Sequence, residues 1–114
     1  MSTVRFAVRV TNYRYSVTLD LSGELDVVSA VRLRTTVDDV ISGAPHSVTV
    51  DLSDTTFCDV AGLRALDDTR QLATGTDARF ELMGVSPYLL RVMVLSGFDE
   101  LCACVSVFGA ELTP

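Results

Sequence analysis

The residues of this 114-residue chain that could do chemistry are three cysteines, one histidine and a run of hydroxyl and carboxylate side chains between Asp51 and Asp59. Cys102 and Cys104 are separated by one residue, and the only histidine, His46, is distant from both, so zinc-ligand spacing is absent. Three cysteines are an odd number and too few for a disulfide scaffold. Cys102 and Cys104 stand in an apolar stretch, where a free thiol behaves as a small hydrophobe. His46 lies in Ala44-Pro45-His46-Ser47 with no obvious nucleophile beside it, and no glycine-rich loop is present to cradle phosphate. These readings assign no metal, no cofactor and no enzyme. They leave Asp51-Leu52-Ser53-Asp54-Thr55-Thr56-Phe57-Cys58-Asp59 as the segment with the most chemistry per residue.

The charge balance narrows the partners. Nine basic residues against fifteen acidic ones give a net charge of −6, and every basic residue is Arg. The Arg are scattered and form no run. Phosphodiester backbones would repel such a chain, so nucleic acid is excluded and a partner with a basic contact surface is expected. With 48% hydrophobic and 21% charged residues, the composition is that of a globular protein. The longest apolar runs, Val92–Leu95 and Leu101–Val105, are far short of the roughly 20 residues that span a bilayer. The alternating start Val4-Arg5-Phe6-Ala7-Val8 lacks the apolar core of a signal peptide, so the expected compartment is the cytoplasm.

The elements that must position this segment follow from periodicity. Val4, Phe6, Val8 and Val10 alternate with polar or small residues and predict a strand, with a turn at Asn12. Tyr15, Val17, Leu19 and Leu21 alternate again and predict its hairpin partner, ended by Gly23-Glu24-Leu25-Asp26. Asp26 is a good N-cap for a helix with Ala30, Leu33, Val37, Val40 and Ile41 on one stripe. Gly43 fits the position after that helix, and Pro45 blocks its continuation. Ser47–Leu52 predicts a third strand and Ser53–Thr56 a polar loop. Asp59 can cap a second helix that buries Leu63, Leu66, Thr69 and Ala73. Ala78–Met83 predicts a fourth strand, Ser86-Pro87 starts a third helix, Gly97 stops it, and Cys102–Phe108 predicts a last strand or extended segment.

The expected fold class is α/β: one domain over residues 1–114, a mixed four- to five-stranded sheet with three to four helices, in the order β-β-α-β-α-β-α-β. Helix-separated strands should run parallel with right-handed crossovers. In such sheets, sites gather at the carboxyl ends of strands and the following helix starts. That places the Asp51–Leu63 segment where function is expected.

Asp51 through Leu63 resembles the hallmark of the STAS domain, the family of bacterial anti-sigma factor antagonists. Leu21-Ser22-Gly23-Glu24-Leu25-Asp26 resembles the family's turn into its first helix, and Gly97-Phe98-Asp99-Glu100-Leu101 its closing glycine-apolar-aspartate turn. The resemblance implies a module that binds an anti-sigma factor with a histidine-kinase-like ATPase fold, released when that partner phosphorylates a Ser at the start of helix two. A helix N-terminus suits an added phosphate because its free N–H groups and dipole favour negative charge.

The chain departs from that pattern at the acceptor. The position of the family's Ser falls on Ala61, and its neighbour Val60 carries no hydroxyl either. The inherited switch therefore has no oxygen to use. Thr55 and Thr56 are the nearest hydroxyls; local backbone bonding is their expected role, and a displaced phosphosite is the other reading. Cys58 sits where the family is usually apolar, so packing is expected. Its place just before a helix start also offers a redox reading, which Asp59 opposes. The predicted partner face comprises Thr56, Cys58, Asp59, Val60, Ala61 and Gly62, the exposed side of helix two with Arg64, Asp67 and Asp68, and the turn residues Gly23, Glu24 and Asp26. The alternative function is a STAS accessory subunit of another complex, such as a stress-sensing assembly or an ABC-type lipid transporter.

Overall fold

The computed structural model describes residues 5–106. Strands β1 (Ala7–Tyr13), β2 (Ser16–Leu25), β3 (Ser47–Cys58) and β4 (Arg79–Met83) alternate after the hairpin with helices α1 (Val27–Ser42), α2 (Val60–Gly75), α3 (Pro87–Leu95) and α4 (Asp99–Cys102). The sheet order is β1-β2-β3-β4, with β1 antiparallel to β2 and the other pairs parallel. This is the α/β class and mixed sheet that the alternation of apolar periods implies.

Alternation along the strands decides which face is covered. On β2, Val17, Leu19 and Leu21 are buried while Thr18, Asp20 and Ser22 between them are only partly covered. β3 repeats this with Val48, Val50 and Leu52 buried and Thr49 and Asp51 between them only partly covered. Because the strands follow one another in space as in sequence, right-handed crossovers lay α1 and α2 on one face. There α1 packs against α2. The apolar rung Val10-Leu19-Val50-Leu82 lies beneath them, and Arg9, Asp20 and Asp51 line up on the opposite face. α1 contributes Ala30, Leu33 and Val37 to the core, and α2 contributes Leu63, Ala65, Leu66 and Ala73.

Several local expectations are corrected. The first turn is at Arg14-Tyr15, not Asn12, because β1 continues to Tyr13 and pairs with Ser16. Gly23-Glu24 lies within β2 rather than ending it, since Gly23 takes φ +89° and lets the strand run on past the carbonyl of Arg5. Ser53–Thr56 is strand, not loop. β3 carries one extra residue between the Asp20–Asp51 and Ser22–Asp54 pairs and another between Gly23–Thr55 and Glu24–Phe57. These bulges let a polar stretch keep pairing while its facing pattern changes. The segment after α3 folds as α4, and its extended part narrows to a parallel bridge between Val105 and Leu82. Residues 107 and 108 of that expected strand lie outside the described residues, as do Val4 and the other residues of 1–4. At the end of α1, the left-handed residue is Ala44 (φ 51°) rather than Gly43 (φ −83°).

Candidate functional site

The carboxyl ends of β2 and β3 are bound together, and each feeds a helix whose first turn is capped by a carboxylate. The Asp59 amide donates to the Leu25 carbonyl at 3.2 Å, while Leu25 pairs with Cys58 and Glu24 with Phe57. Asp26 Oδ1 accepts from the amides of Val28 and Ser29, each at 3.0 Å. Ser29 returns the bond, its Oγ accepting from the Asp26 amide at 2.8 Å and donating to the Glu24 carbonyl at 2.7 Å. This reciprocal cap uses Ser at the third helical position where Glu or Gln is usual. The Ser29 amide is the main cause that holds the Asp26 carboxyl below its ordinary value. On α2 the Asp59 Oδ1 accepts from the Gly62 amide at 2.9 Å. The two helix starts thus stand side by side at one end of the sheet.

Gly62 and Gly23 are buried beneath this end rather than displayed on it. A Cβ at Gly62 would meet Cys58 Sγ at 2.8 Å and Leu25 Cγ at 2.9 Å, so the glycine lets α2 seat directly on the strand ends. Cys58 fills the other side of that contact. Burial, reinforced by the neighbouring Asp59 charge, pushes its thiol up to about 12. A thiol raised in this way is a weaker nucleophile than a free one, which favours packing over redox chemistry at Cys58.

The surface above is apolar and lacks an acceptor hydroxyl at the start of α2. Val60 is 45% exposed and Ala61 half-buried, and neither bears oxygen. The second bulge on β3 leaves Thr56 exposed and turns Phe57 out, 51% exposed. Thr55 is half-buried, its Oγ1 donating to the Leu21 carbonyl at 3.4 Å. Beside them α1 shows Val27, Val28 and Val31, exposed by 65%, 75% and 61%. Val27 and Val31 lie two turns and one turn before Arg34, which bonds Asp68 of α2 at 3.0 Å, so this stripe faces Val60 and Arg64 across the helix pair.

The structure brings Glu24, Asp26, Thr56, Cys58, Asp59, Val60 and Ala61 to one end of the molecule. It separates the acids of α2 from them in role: Asp68 is tied to Arg34, and Asp67 to Arg70 at 2.8 Å and to Gln71 at 3.0 Å. Arg64 is exposed and makes no ion pair among the described residues. His46 is at the opposite end, stacked on Tyr15 with ring centroids 4.6 Å apart. Sequence reasoning missed Val28, Val31 and Phe57 as surface residues. Val28 and Val31 were detectable as apolar residues off the buried stripe of α1. It also missed Ser86 and Tyr88, which border a small cleft with Thr55, Thr56 and Phe57.

A mixed four-stranded sheet with two carboxylate-capped helix starts side by side at its carboxyl end defines a small α/β domain of one sheet and four helices. Residues 8–106 match the family model described as "Mlab, STAS domain", and the chain belongs to the STAS family. It is 26% identical over 106 residues to the anti-sigma-F factor antagonist RsfB of Mycobacterium tuberculosis, covering 93% of this chain and 86% of that protein. It is similar to the crystal structure of an anti-sigma factor antagonist from Mycobacterium paratuberculosis, with a TM-score of 0.78 and 25% identity over 96% of this chain and 92% of that one. The unphosphorylated form of the anti-sigma factor antagonist SpoIIAA shares the fold, with a TM-score of 0.75 and 21% identity over 93% and 92% of the two chains. Among the described residues, no helix is long and apolar enough to cross a membrane.

Proposed function

We infer that this chain, acting as one STAS domain over residues 1–114 in the cytoplasm, works by binding and not by catalysis. It captures a kinase-type anti-sigma factor without being switched off at the usual position. The observation that carries the reading is the start of α2: capped by Asp59, exposed at Val60, and free of hydroxyl at Val60 and Ala61. The similarity to RsfB, an anti-sigma-F factor antagonist, supports an anti-sigma factor as the partner. The contact face is Glu24, Asp26, Thr56, Asp59, Val60, Ala61 and Arg64, with Asp67 and Asp68 at its rim and Gly23, Cys58 and Gly62 supporting it from below. Val27, Val28, Val31 and Phe57 extend it as an apolar area.

The test is a titration of wild type, Ala61→Asp and Arg64→Glu against the kinase-type anti-sigma factors of the same genome, followed by incubation with ATP and phosphopeptide mapping. Ala61→Asp should weaken binding by about 1–3 kcal/mol while unfolding stability stays within about 1 kcal/mol of wild type. Residues 60–62 should stay unmodified. Undiminished binding by both variants would remove this end as the contact face. Phosphate on Thr55 or Thr56 would mean the switch has moved. Failure to bind any such factor, with capture by a transporter or stress-sensing complex instead, would favour the accessory-subunit reading.

A further inference from the structure

The two edges of the sheet are finished differently. Outside β4 the chain covers its own edge: Val105 bridges Leu82, and the Ser106 amide donates to the Leu82 carbonyl at 2.7 Å. Outside β1 no described residue pairs. β1 and β2 are joined by a two-residue turn at Arg14-Tyr15, with Arg14 at φ 58°. Such a turn makes Tyr13 and Ser16 a hydrogen-bonded pair. Alternation along an antiparallel ladder then points the amides and carbonyls of Val8, Val10 and Asn12 outward.

Proteins usually protect such an edge with proline, a bulge, a short strand or inward charge. Apart from one exposed charged side chain, Arg9, β1 has no such device. It is seven residues long, its seven pairs with β2 run without a register shift, and its one charge, Arg9, lies on the open face opposite Asp20. Val10 remains 39% exposed. A groove of about 340 Å³ runs between β1 and the flank of α1, lined by Val10, Asn12, Thr36, Asp39, Val40 and Gly43.

We propose that this edge pairs with β1 of a second copy of the chain, antiparallel about a two-fold axis at Val10, joining two four-stranded sheets into one of eight strands. Three observations select that occupant. Ser106, the last described residue, lies against Leu82 at the β4 edge, the far side of the sheet from β1. A two-fold at Val10 pairs all seven residues of β1, setting Val10 on Val10, Val8 on Asn12 and the large Tyr13 over the small Ala7 of the mate. It also sets Arg9 against Thr11, whereas a shift of one residue in the axis toward the N-terminus sets Arg9 against its own copy, and like charges directly opposed destabilise a ladder. The candidate docking end lies at the helix starts, away from this edge, so the pairing is independent of the proposed function.

Sedimentation velocity over a range of concentrations, with cross-linking of single-cysteine variants, tests this. Wild type should show a reversible species of twice the chain mass. Val10→Pro removes an outward amide without touching the bonds to β2, and should weaken dimerisation about tenfold while leaving circular dichroism unchanged. Val10→Cys should oxidise to a covalent dimer, because only residue 10 meets itself across the axis. Thr11→Cys, with wild type as control for Cys58, Cys102 and Cys104, should not. Wild type that stays monomeric at its highest soluble concentration overturns the proposal. So does a dimer that Val10→Cys fails to trap. If Val10→Pro does not fold, Val10→Lys places like charges at the axis and should give the monomer instead.

Discussion

The two ends of the sheet solve the same problem by different means. At the carboxyl ends of β2 and β3, side chains close the helices: Asp26, Asp59 and, on α3, Ser86, whose Oγ accepts from the Leu89 amide at 3.0 Å. At the other end the backbone closes them. The Ala44 amide donates to the Ile41 carbonyl at 2.9 Å, and the Ala78 amide to the Ala73 carbonyl at 2.9 Å. Three left-handed residues at the reversals there are not glycine, Arg14, Ala44 and Asp77, while Gly97 after α3 is. At the end beneath the helix starts, the left-handed positions at Gly23, within β2, and Gly84, after β4, are glycine. The end proposed to bind is relaxed and tightly packed, and the far end carries the conformational cost. A surface that must present a fixed shape to a partner is better built on close packing than on strained turns.

That contrast can be broken first at Gly62. Gly62→Val would drive a side chain into Cys58 and Leu25 and should lower unfolding stability in urea by at least about 2 kcal/mol. A loss under half of that would show that α2 can lift off the strand ends. Next comes the cap itself. Asp59→Ala should cost about 1 kcal/mol, and Asp59→Asn should recover most of it, because either oxygen can accept from the Gly62 amide. Equal losses for both would assign the effect to charge instead of to the cap. The smallest change lies at the far end. Ala44→Gly should raise stability by about 0.5 kcal/mol, since glycine takes φ near +51° without steric cost and gives back part of the gain as unfolded-chain entropy. Thermal unfolding against wild type would read it, and a decrease would mean that Ala44 is not strained.

Helices with a polar cap and a clean stripe are legible in the residues alone. Asp26, Asp59 and Ser86 announce three helix starts, and Leu63, Leu66, Thr69 and Ala73 name the buried face of α2. What escapes such a reading is set by neighbours. Ser53–Thr56 reads as loop because its residues are polar, yet pairing with β2 holds it extended through two bulges, which local composition does not encode. Cys102–Phe108 alternates like a strand, but Gly97 and Phe98 start a short helix first, and Leu101 takes the buried place. At the site, the absence of a hydroxyl at Ala61 is plain in the sequence. The exposure of Val28, Val31 and Phe57 depends on how α1 and β3 are rotated against the sheet. The pairing of Asp67 with Arg70, and of Asp68 with Arg34, depends on rotamers that spacing leaves open.

Spatial order and chain order coincide in this sheet, and that sets a timetable. The β1–β2 hairpin closes on residues already adjacent, so it can form as soon as Leu25 has left the ribosome. Each later strand then arrives at an edge that is already in place, with its crossover helix made just before it. No strand has to be inserted between two others, and no early pairing has to be undone. Growth proceeds in one direction, from β1 outward, and the last step is the short bridge that closes the β4 edge.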